Sequence, residues 1–252
     1  MPVWVWPTIL APFVGSFLGV VIRRLPAGGP LVMARSRCEI CGRAIAPWDM
    51  VPLASYIWLR GRCRACHGRI APSHLIIELA AIGVPLSTAW VGIGAPRLWV
   101  GCGLGWALLA LGWIDWEHFR LPDSLTLPLL LAGLGVTWWL APGALVAHVI
   151  GVVAGYVGLR LLNAAYRLLR GRDGVGRGDA KLLAASGAWL GPAALPAVLW
   201  LAAIAGLAIA GVLWWRGKPV RRATPMPFGT CLALATWLVW ISAPYLLQIM
   251  AL

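Results

Sequence analysis

The chain has 252 residues, 61% of them hydrophobic and only 12% charged, with a formal net charge of +13. Soluble domains average about 45–50% apolar and about 25% charged. With a mean hydropathy of +0.83, the composition excludes a soluble globular enzyme and a disordered or fibrous chain, and leaves a polytopic membrane protein. The basic excess does not point to nucleic acid. Of the 21 Lys and Arg, 20 fall in or beside alternate polar gaps and only Arg97 lies elsewhere, which is the signature of cytoplasmic loops between spans.

Eight apolar stretches follow one another: Pro2–Ile22, His74–Val91, Leu98–Ile114, Ser124–Leu140, Ala144–Leu162, Ala180–Leu190, Ala193–Trp215 and Phe228–Leu252. A spanning helix needs about 20 apolar residues, so an all-α protein of about eight transmembrane helices is expected, with both termini outside. The first stretch lacks a basic start and a small-x-small cleavage site, and reads as a retained span rather than a signal peptide. Long basic gaps alternate with short turns. Arg23 to Arg69 form the first basic gap, Arg120 the second, Arg160 to Lys181 the third, and Arg216, Lys218, Arg221 and Arg222 the fourth. The sixth stretch is short: eleven residues give roughly 16 Å at 1.5 Å per residue, about half a bilayer. Gly191-Pro192 offers a break after it, so a short helix starting near Asp179 is expected. Gly15/Gly19, Gly101/Gly105 and Gly151/Gly155 have the four-residue spacing that lets helices pack closely. Trp4, Trp6, Trp138, Trp139, Trp214 and Trp215 lie at span ends, where interfacial anchoring explains them.

The 23–73 gap carries Cys38, Cys41, Cys63 and Cys66 in the spacing C-x2-C-x21-C-x2-C, with Gly42 and Gly68 close behind the two pairs. Those glycines let each knuckle turn tightly, so that four thiolates can meet one tetrahedral ion. In a cytoplasmic loop disulfides are disfavoured, and zinc is the expected occupant. The plainer readings are four free thiols or a redox pair. A four-thiolate site has all positions filled, which suits structure rather than catalysis. About fifty residues are too few for a large core, so a metal staple is physically apt. Cys102 and Cys231 lie in apolar runs and read as packing residues.

Only eight acidic residues exist, and carboxylates at or within a bilayer are functional candidates by default. Asp115 ends the third stretch, and Asp179 begins the sixth in Gly176-Arg-Gly178-Asp179-Ala-Lys181. Two carboxylates meeting at the cytoplasmic face could share a proton, one activating water and the other protonating a leaving group. The plainer reading makes Asp179 a helix cap, and Asp123 looks still more like an N-cap for the fourth span. Asp123, Lys181, Gly176, Gly178 and Glu78 read as supporting residues: Lys181 through its charge near Asp179, Glu78 by pairing with a loop arginine or facing a substrate cavity. His118 and His148 carry no spacing signal. Nucleotide-binding loops, zinc-protease and serine-hydrolase motifs do not occur.

In combination these segments resemble the type IV prepilin peptidases, the bifunctional leader peptidase/N-methyltransferases of type IV pilus and type II secretion systems. Gly15-Ser-Phe-Leu-Gly-Val-Val-Ile-Arg-Arg-Leu-Pro26 is similar to the family's opening segment. Arg35 to Cys66 resembles its tetracysteine loop, Ile114-Asp115 with Leu121 to Pro128 its first catalytic segment, and Gly176 to Gly191 its G-x-G-D segment. Gly19, Glu39 and the residues around His74 depart from the pattern. The resemblance implies that Asp115 and Asp179 are the catalytic aspartates of a membrane aspartyl peptidase. It implies prepilin and pseudopilin substrates, a location in the bacterial inner membrane with the site at the cytoplasmic face, and N-methylation of the new N-terminus by S-adenosylmethionine. It divides the chain into a first transmembrane helix (1–22), a cytoplasmic zinc-binding domain (23–73) and a membrane peptidase domain (74–252). Methylation is expected to use the cysteine loop, with Gly61 allowing a close backbone approach to the methyl donor. A peptidase with zinc as scaffold only, and a non-enzymatic membrane assembly protein, are the alternatives.

Overall fold

The computed structural model describes residues 2–31, 35–217 and 225–250, with side chains as far as residue 242. Lys218, Arg221 and Arg222 of the fourth basic gap, and the last two residues of the final apolar stretch, lie outside the described residues. Nine α-helices occur among the described residues: α1 Val5–Arg24, α2 Ala54–Trp58, α3 Ser73–Trp90, α4 Arg97–His118, α5 Asp123–Leu140, α6 Leu145–Arg170, α7 Arg177–Leu190, α8 Leu195–Trp215 and α9 Phe228–Met250. No strand occurs among them beyond two isolated bridges, Arg37 with Ala44 and Arg62 with Arg69. The protein is an all-α polytopic membrane protein. Six helices are long and apolar enough to cross a bilayer: α1, α3, α4, α5, α6 with the turn that precedes it, and α8 with its own. The other two apolar stretches form the fourteen-residue α7 and an apolar run at Phe228–Ser242, so the expected total of eight crossings turns on these two. Trp90, Trp138, Trp139, Trp214 and Trp215 are exposed at helix ends, as interfacial anchors should be.

The chain divides into two compact units, Met1–Ala110 and Leu111–Leu252. In the first, α1 packs on α3. A Cβ on Gly15 would stand 2.7 Å from the Cα of Glu78 and 3.2 Å from the carbonyl oxygen of Ile77, so only glycine lets these backbones touch. The loop between the two helices folds into two hairpin knuckles and carries α2.

In the second unit α7 is packed by α5, α6 and α9. Its residues Asp179, Ala180 and Leu182 through Ala188 are buried. Small side chains make this approach possible. A Cβ on Gly187 would fall 2.3 Å from the carbonyl oxygen of Gly151, and one on Gly155 would fall 2.7 Å from that of Leu183. Hydrogen bonds then stitch the helix on every side. The Trp189 indole N–H donates to the Leu129 carbonyl at 2.9 Å, the Ser186 and Thr236 hydroxyls meet at 2.7 Å, and His148 Nδ1 lies 2.8 Å from the Ala188 carbonyl. His148 thus serves the C-terminal end of α7, where carbonyls lack helical partners. The expected break follows: Gly191 adopts φ +76 and α8 begins four residues later, at Leu195.

Candidate active site and metal centre

Two clusters assemble, one in each unit. In the first unit the sulfur atoms of Cys38, Cys41, Cys63 and Cys66 all lie within 4.8 Å of one another. Two local turns of one design bring them there. In the first, the Gly42 N–H donates to the Cys38 carbonyl and the Cys38 N–H to the Arg43 carbonyl. In the second, His67 donates to Cys63 and Cys63 to Gly68, and all four bonds are 2.9 Å. The left-handed residue is Gly42 in the first knuckle, as its type predicts, but His67 in the second, at φ +54. Gly68 is required for another reason than turning: a Cβ there would strike the Ile40 side chain at 2.4 Å and approach Cys66 Sγ at 3.3 Å. Cys38 Sγ and Cys66 Sγ stand 3.8 Å apart. A tetrahedral ion with metal–sulfur bonds of about 2.3 Å needs sulfurs about 3.8 Å apart, so this pair already has the required spacing and the four sulfurs are close enough to share one ion. The four thiols act on one another: the N–H groups of Cys41 and Ile40 pull the Cys38 thiol down to about 6, while, against the pull of the Gly68 N–H, burial and the neighbouring sulfurs push Cys66 up to about 11.

Beside these thiols a cavity of about 820 Å³ opens between the loop, α1 and α3. Trp48, Tyr56 and Glu78 are among its walls. Asp49 is fixed in the wall by a bidentate pair with Arg64, whose Nη2 donates to Oδ1 at 2.7 Å. The Arg64 guanidinium holds the Asp49 carboxyl below its ordinary range. Of the two expected placements of Glu78, pairing with a loop arginine is not seen among the described residues. Glu78 faces this cavity, and its Oε2 accepts the Leu53 N–H at 2.8 Å.

In the second unit Asp115 and Asp179 are both buried, 5% and 8% exposed, and Leu121 packs against the glycine beside each, Gly229 next to Asp115 and Gly178 next to Asp179. Asp179 occupies the third position of α7, where its Oδ2 accepts the Gly176 N–H at 2.9 Å, the reciprocal half of a capping box. The cap and the buried carboxylate are therefore one residue rather than competing readings. The loop before it is held by Asn163 of α6. The Oδ1 of Asn163 accepts the N–H groups of Gly174 at 2.8 Å and Val175 at 3.0 Å, and its amide donates to Asp173 at 2.8 Å. Gly178 is a matter of space, since its Cβ would lie 2.9 Å from that of Leu121.

Asp115 is held by residues that sequence reasoning passed over. At the start of α9 the Thr230 N–H donates to Asp115 Oδ2 at 2.8 Å, and the Thr230 hydroxyl lies 3.4 Å from the same oxygen. The adjoining glycine is obligatory: a Cβ on Gly229 would sit 2.9 Å from Asp115 Cγ and 2.8 Å from Leu121 Cδ1. Pro227-Phe-Gly229-Thr230 carried a detectable signal, a small-residue turn immediately before an apolar run, and a helix start offers its free N–H groups to a carboxylate.

Two expected supporting roles change. Asp123 is the first residue of α5 rather than its N-cap, which is Pro122, and its side chain makes no capping bond. Instead both of its carboxylate oxygens accept from Lys181 Nζ, at 2.6 and 2.7 Å. Lys181 therefore spends its charge on Asp123, tying the start of α5 to the first turn of α7.

Fold and sites together define a helical, multi-pass membrane protein with a cluster of four thiols that could hold a metal ion and two buried aspartates. Residues 9–91 match the bacterial peptidase A24 N-terminal domain, and residues 102–211 match the type IV leader peptidase family. A prepilin leader peptidase/N-methyltransferase from Burkholderia pseudomallei is 44% identical over 251 residues, which span 89% of this chain and 81% of that protein. One from Aeromonas hydrophila is 38% identical over 260 residues, spanning 90% and 87% of the two chains. One from Pseudomonas aeruginosa is 37% identical over 262 residues, spanning 92% and 88%. No solved structure matches the chain. The chain belongs to the type IV leader peptidase family.

Proposed function

We propose that this protein removes the leader from prepilins and pseudopilins and then N-methylates the new N-terminal residue, with Asp115 and Asp179 as the catalytic pair. The observation that carries the reading is a pair of buried carboxylates, Asp115 bonded by the Thr230 N–H of α9 and Asp179 by the Gly176 N–H, with Leu121 packed against the glycines Gly229 and Gly178 beside them. Amide hydrolysis needs an activated water and a proton for the departing amine. An ionised carboxylate takes a proton from the water as its oxygen bonds the scissile carbonyl carbon. The protonated partner gives its proton to the nitrogen as the C–N bond breaks. Gly229 and Thr230 hold one carboxylate in place, and the Gly176 N–H holds the other. Zinc on Cys38, Cys41, Cys63 and Cys66 has every position filled by thiolate and acts as a scaffold. S-adenosylmethionine supplies the methyl group when bound. The distribution of Lys and Arg supports the inner membrane with the site at the cytoplasmic face and both termini outside. Thiol labelling of residues in the 23–73 loop from the outer face of intact cells would overturn that orientation.

Incubation of the purified protein with a synthetic prepilin and S-adenosylmethionine, read by intact mass, tests the whole reading. Leader loss plus one methyl is expected. Leader loss alone leaves a peptidase with a scaffold domain, and no change in mass removes the enzyme.

Two substitutions probe the halves separately. Gly229→Ala drives a methyl group against Asp115 and Leu121, and should lower cleavage by about 100-fold, the order of a displaced acid–base group. Thr230→Ser keeps both donors and should cost little. Near-normal cleavage by Gly229→Ala would remove α9 from the site. Gly61 has φ +67, and a Cβ on it would come within 3.0 Å of the Tyr56 hydroxyl. Gly61→Ala should therefore push Tyr56 into the cavity and depress methylation while cleavage at the aspartates continues. Equal loss of both activities would contradict this division.

A further inference from the structure

Leader cleavage leaves one buried carboxylate unused. Glu78 lies in the second turn of α3, is 8% exposed, and lines the cavity of the first unit. The Leu53 N–H at 2.8 Å and the Ser16 hydroxyl meet it, and both are neutral donors. Leu53 presents that N–H from φ +60, a conformation that leucine seldom adopts and that clusters at functional sites. Two other carboxylates in the cavity wall are matched to cations, Glu39 to Arg23 and Asp49 to Arg64. Glu78 is thus a carboxylate fixed in direction by neutral donors and turned toward an open space. Buried charge of this kind is retained where it meets a charged or proton-bearing ligand.

N-methylation supplies such a ligand. A peptide N-terminus is largely an ammonium near neutral pH, with an ordinary pKa of about 7.7–8.0, and has no lone pair to attack with until it sheds a proton. We propose that Glu78 receives the N-terminal ammonium of the cleaved pilin and takes that proton, with the methyl donor in the same cavity beside Trp48 and Tyr56. This rests on the methyltransferase reading above and names the acceptor site within it. The N–H proton passes to the carboxylate. The freed lone pair then bonds the methyl carbon, the C–S bond breaks with its electron pair moving to sulfur, and the products are a methylated ammonium and a neutral thioether. The cavity, at about 820 Å³, is within the size range of about 300–1,000 Å³ that small-molecule sites occupy. Its walls combine aromatic rings, Trp48 and Tyr56, which suit a purine, with arginines such as Arg37, Arg43 and Arg69, which suit the carboxylate of the methyl donor, and Glu78 offers the negative charge for the cationic end.

The test uses the full-length protein, a pre-cleaved pilin and S-adenosylmethionine, with calorimetric binding of S-adenosylhomocysteine as a readout independent of turnover. Glu78→Gln keeps an oxygen for the Leu53 N–H but cannot take the proton. Its kcat for methyl transfer should fall about 100-fold, the usual order for a general base. S-adenosylhomocysteine should bind it as it binds the wild type. Glu78→Asp keeps the charge one methylene further back and should recover part of the rate. Unchanged kcat in Glu78→Gln overturns the assignment, as does a loss of donor affinity that matches the loss of rate. If the glutamine variant does not assemble, judged by zinc content and melting, Glu78→Asp decides: a lowered kcat with unchanged donor affinity supports the role and an unchanged kcat removes it. A wild-type protein that neither binds S-adenosylhomocysteine nor transfers methyl takes down the methyltransferase reading and this site together. Normal wild-type transfer with an unimpaired Glu78→Gln takes down this site alone.

Discussion

Asp115→Asn and Asp179→Asn proteins should each lose leader cleavage by at least about 1,000-fold, within the range expected when a general acid or base is removed. Asparagine preserves the shape at both positions, and its oxygen can still accept from the Thr230 or Gly176 N–H, so the fold should survive. What it cannot do is exchange a proton with water or with the leaving nitrogen. Because the pair acts as a unit, the double variant should fall little further than either single one. Asp123→Asn is the control. It breaks the pair with Lys181, a partly exposed ion pair of a kind usually worth about 0–1 kcal/mol, and cleavage should stay within a few-fold of normal. Initial rates on a synthetic prepilin, with melting temperature as the fold check, measure all four. Turnover within about 100-fold of normal by a well-folded Asp115→Asn or Asp179→Asn protein would refute the assignment.

The second large effect concerns metal. One zinc per chain is expected, and Cys41→Ser should lose it. Structural zinc contributes about 10–16 kcal/mol of apparent binding energy in small zinc-finger sites, and that energy is folding energy. The bridges Arg37–Ala44 and Arg62–Arg69 each close one knuckle and neither joins it to the other, so the four thiols and the packing of Ile40 against Gly68 are what bring the knuckles together. Without the ion, the loop should become open to protease while the helices remain. Both activities should fall, methylation more steeply because the cavity wall is made of this loop. Metal analysis of freshly prepared protein and limited proteolysis of wild type and variant decide it. Less than half an equivalent of zinc in the wild type, or a disulfide among the four cysteines, counts against the site.

Much of this was legible from residue types alone. The C-x2-C pairs announced their cluster because metal ligation constrains spacing along the chain. The end of α7 was readable because Gly191-Pro192 breaks a helix wherever it stands. Asp115 and Asp179 stood out because carboxylates are rare in apolar surroundings. Less legible was anything fixed by distant neighbours. Thr230 is 115 residues from Asp115 in sequence, and a backbone N–H has no residue signature. Asp123 looked like a cap because its local sequence is cap-like, and only the arrival of Lys181, 58 residues later, gives it another partner. Gly68 and Gly178 were recognisable as glycines that matter. Their reason, a side chain pressed against each, lies outside any local window.

The glycine contacts between α6 and α7 also bear on how the two aspartates are tethered. Where the Gly187 position meets the Gly151 carbonyl there is no side chain left to rotate or compress, so α7 can neither slide nor roll without a backbone collision. The backbone of Asp179 rides on that clamped helix and is a fixed point. Both carboxylates are held by backbone N–H groups, Asp179 by Gly176 and Asp115 by Thr230, and a hydrogen bond lengthens by tenths of an ångström far more cheaply than a steric contact shortens. The compliance needed to admit a peptide between two acids therefore belongs to their side chains and not to a movement of α7.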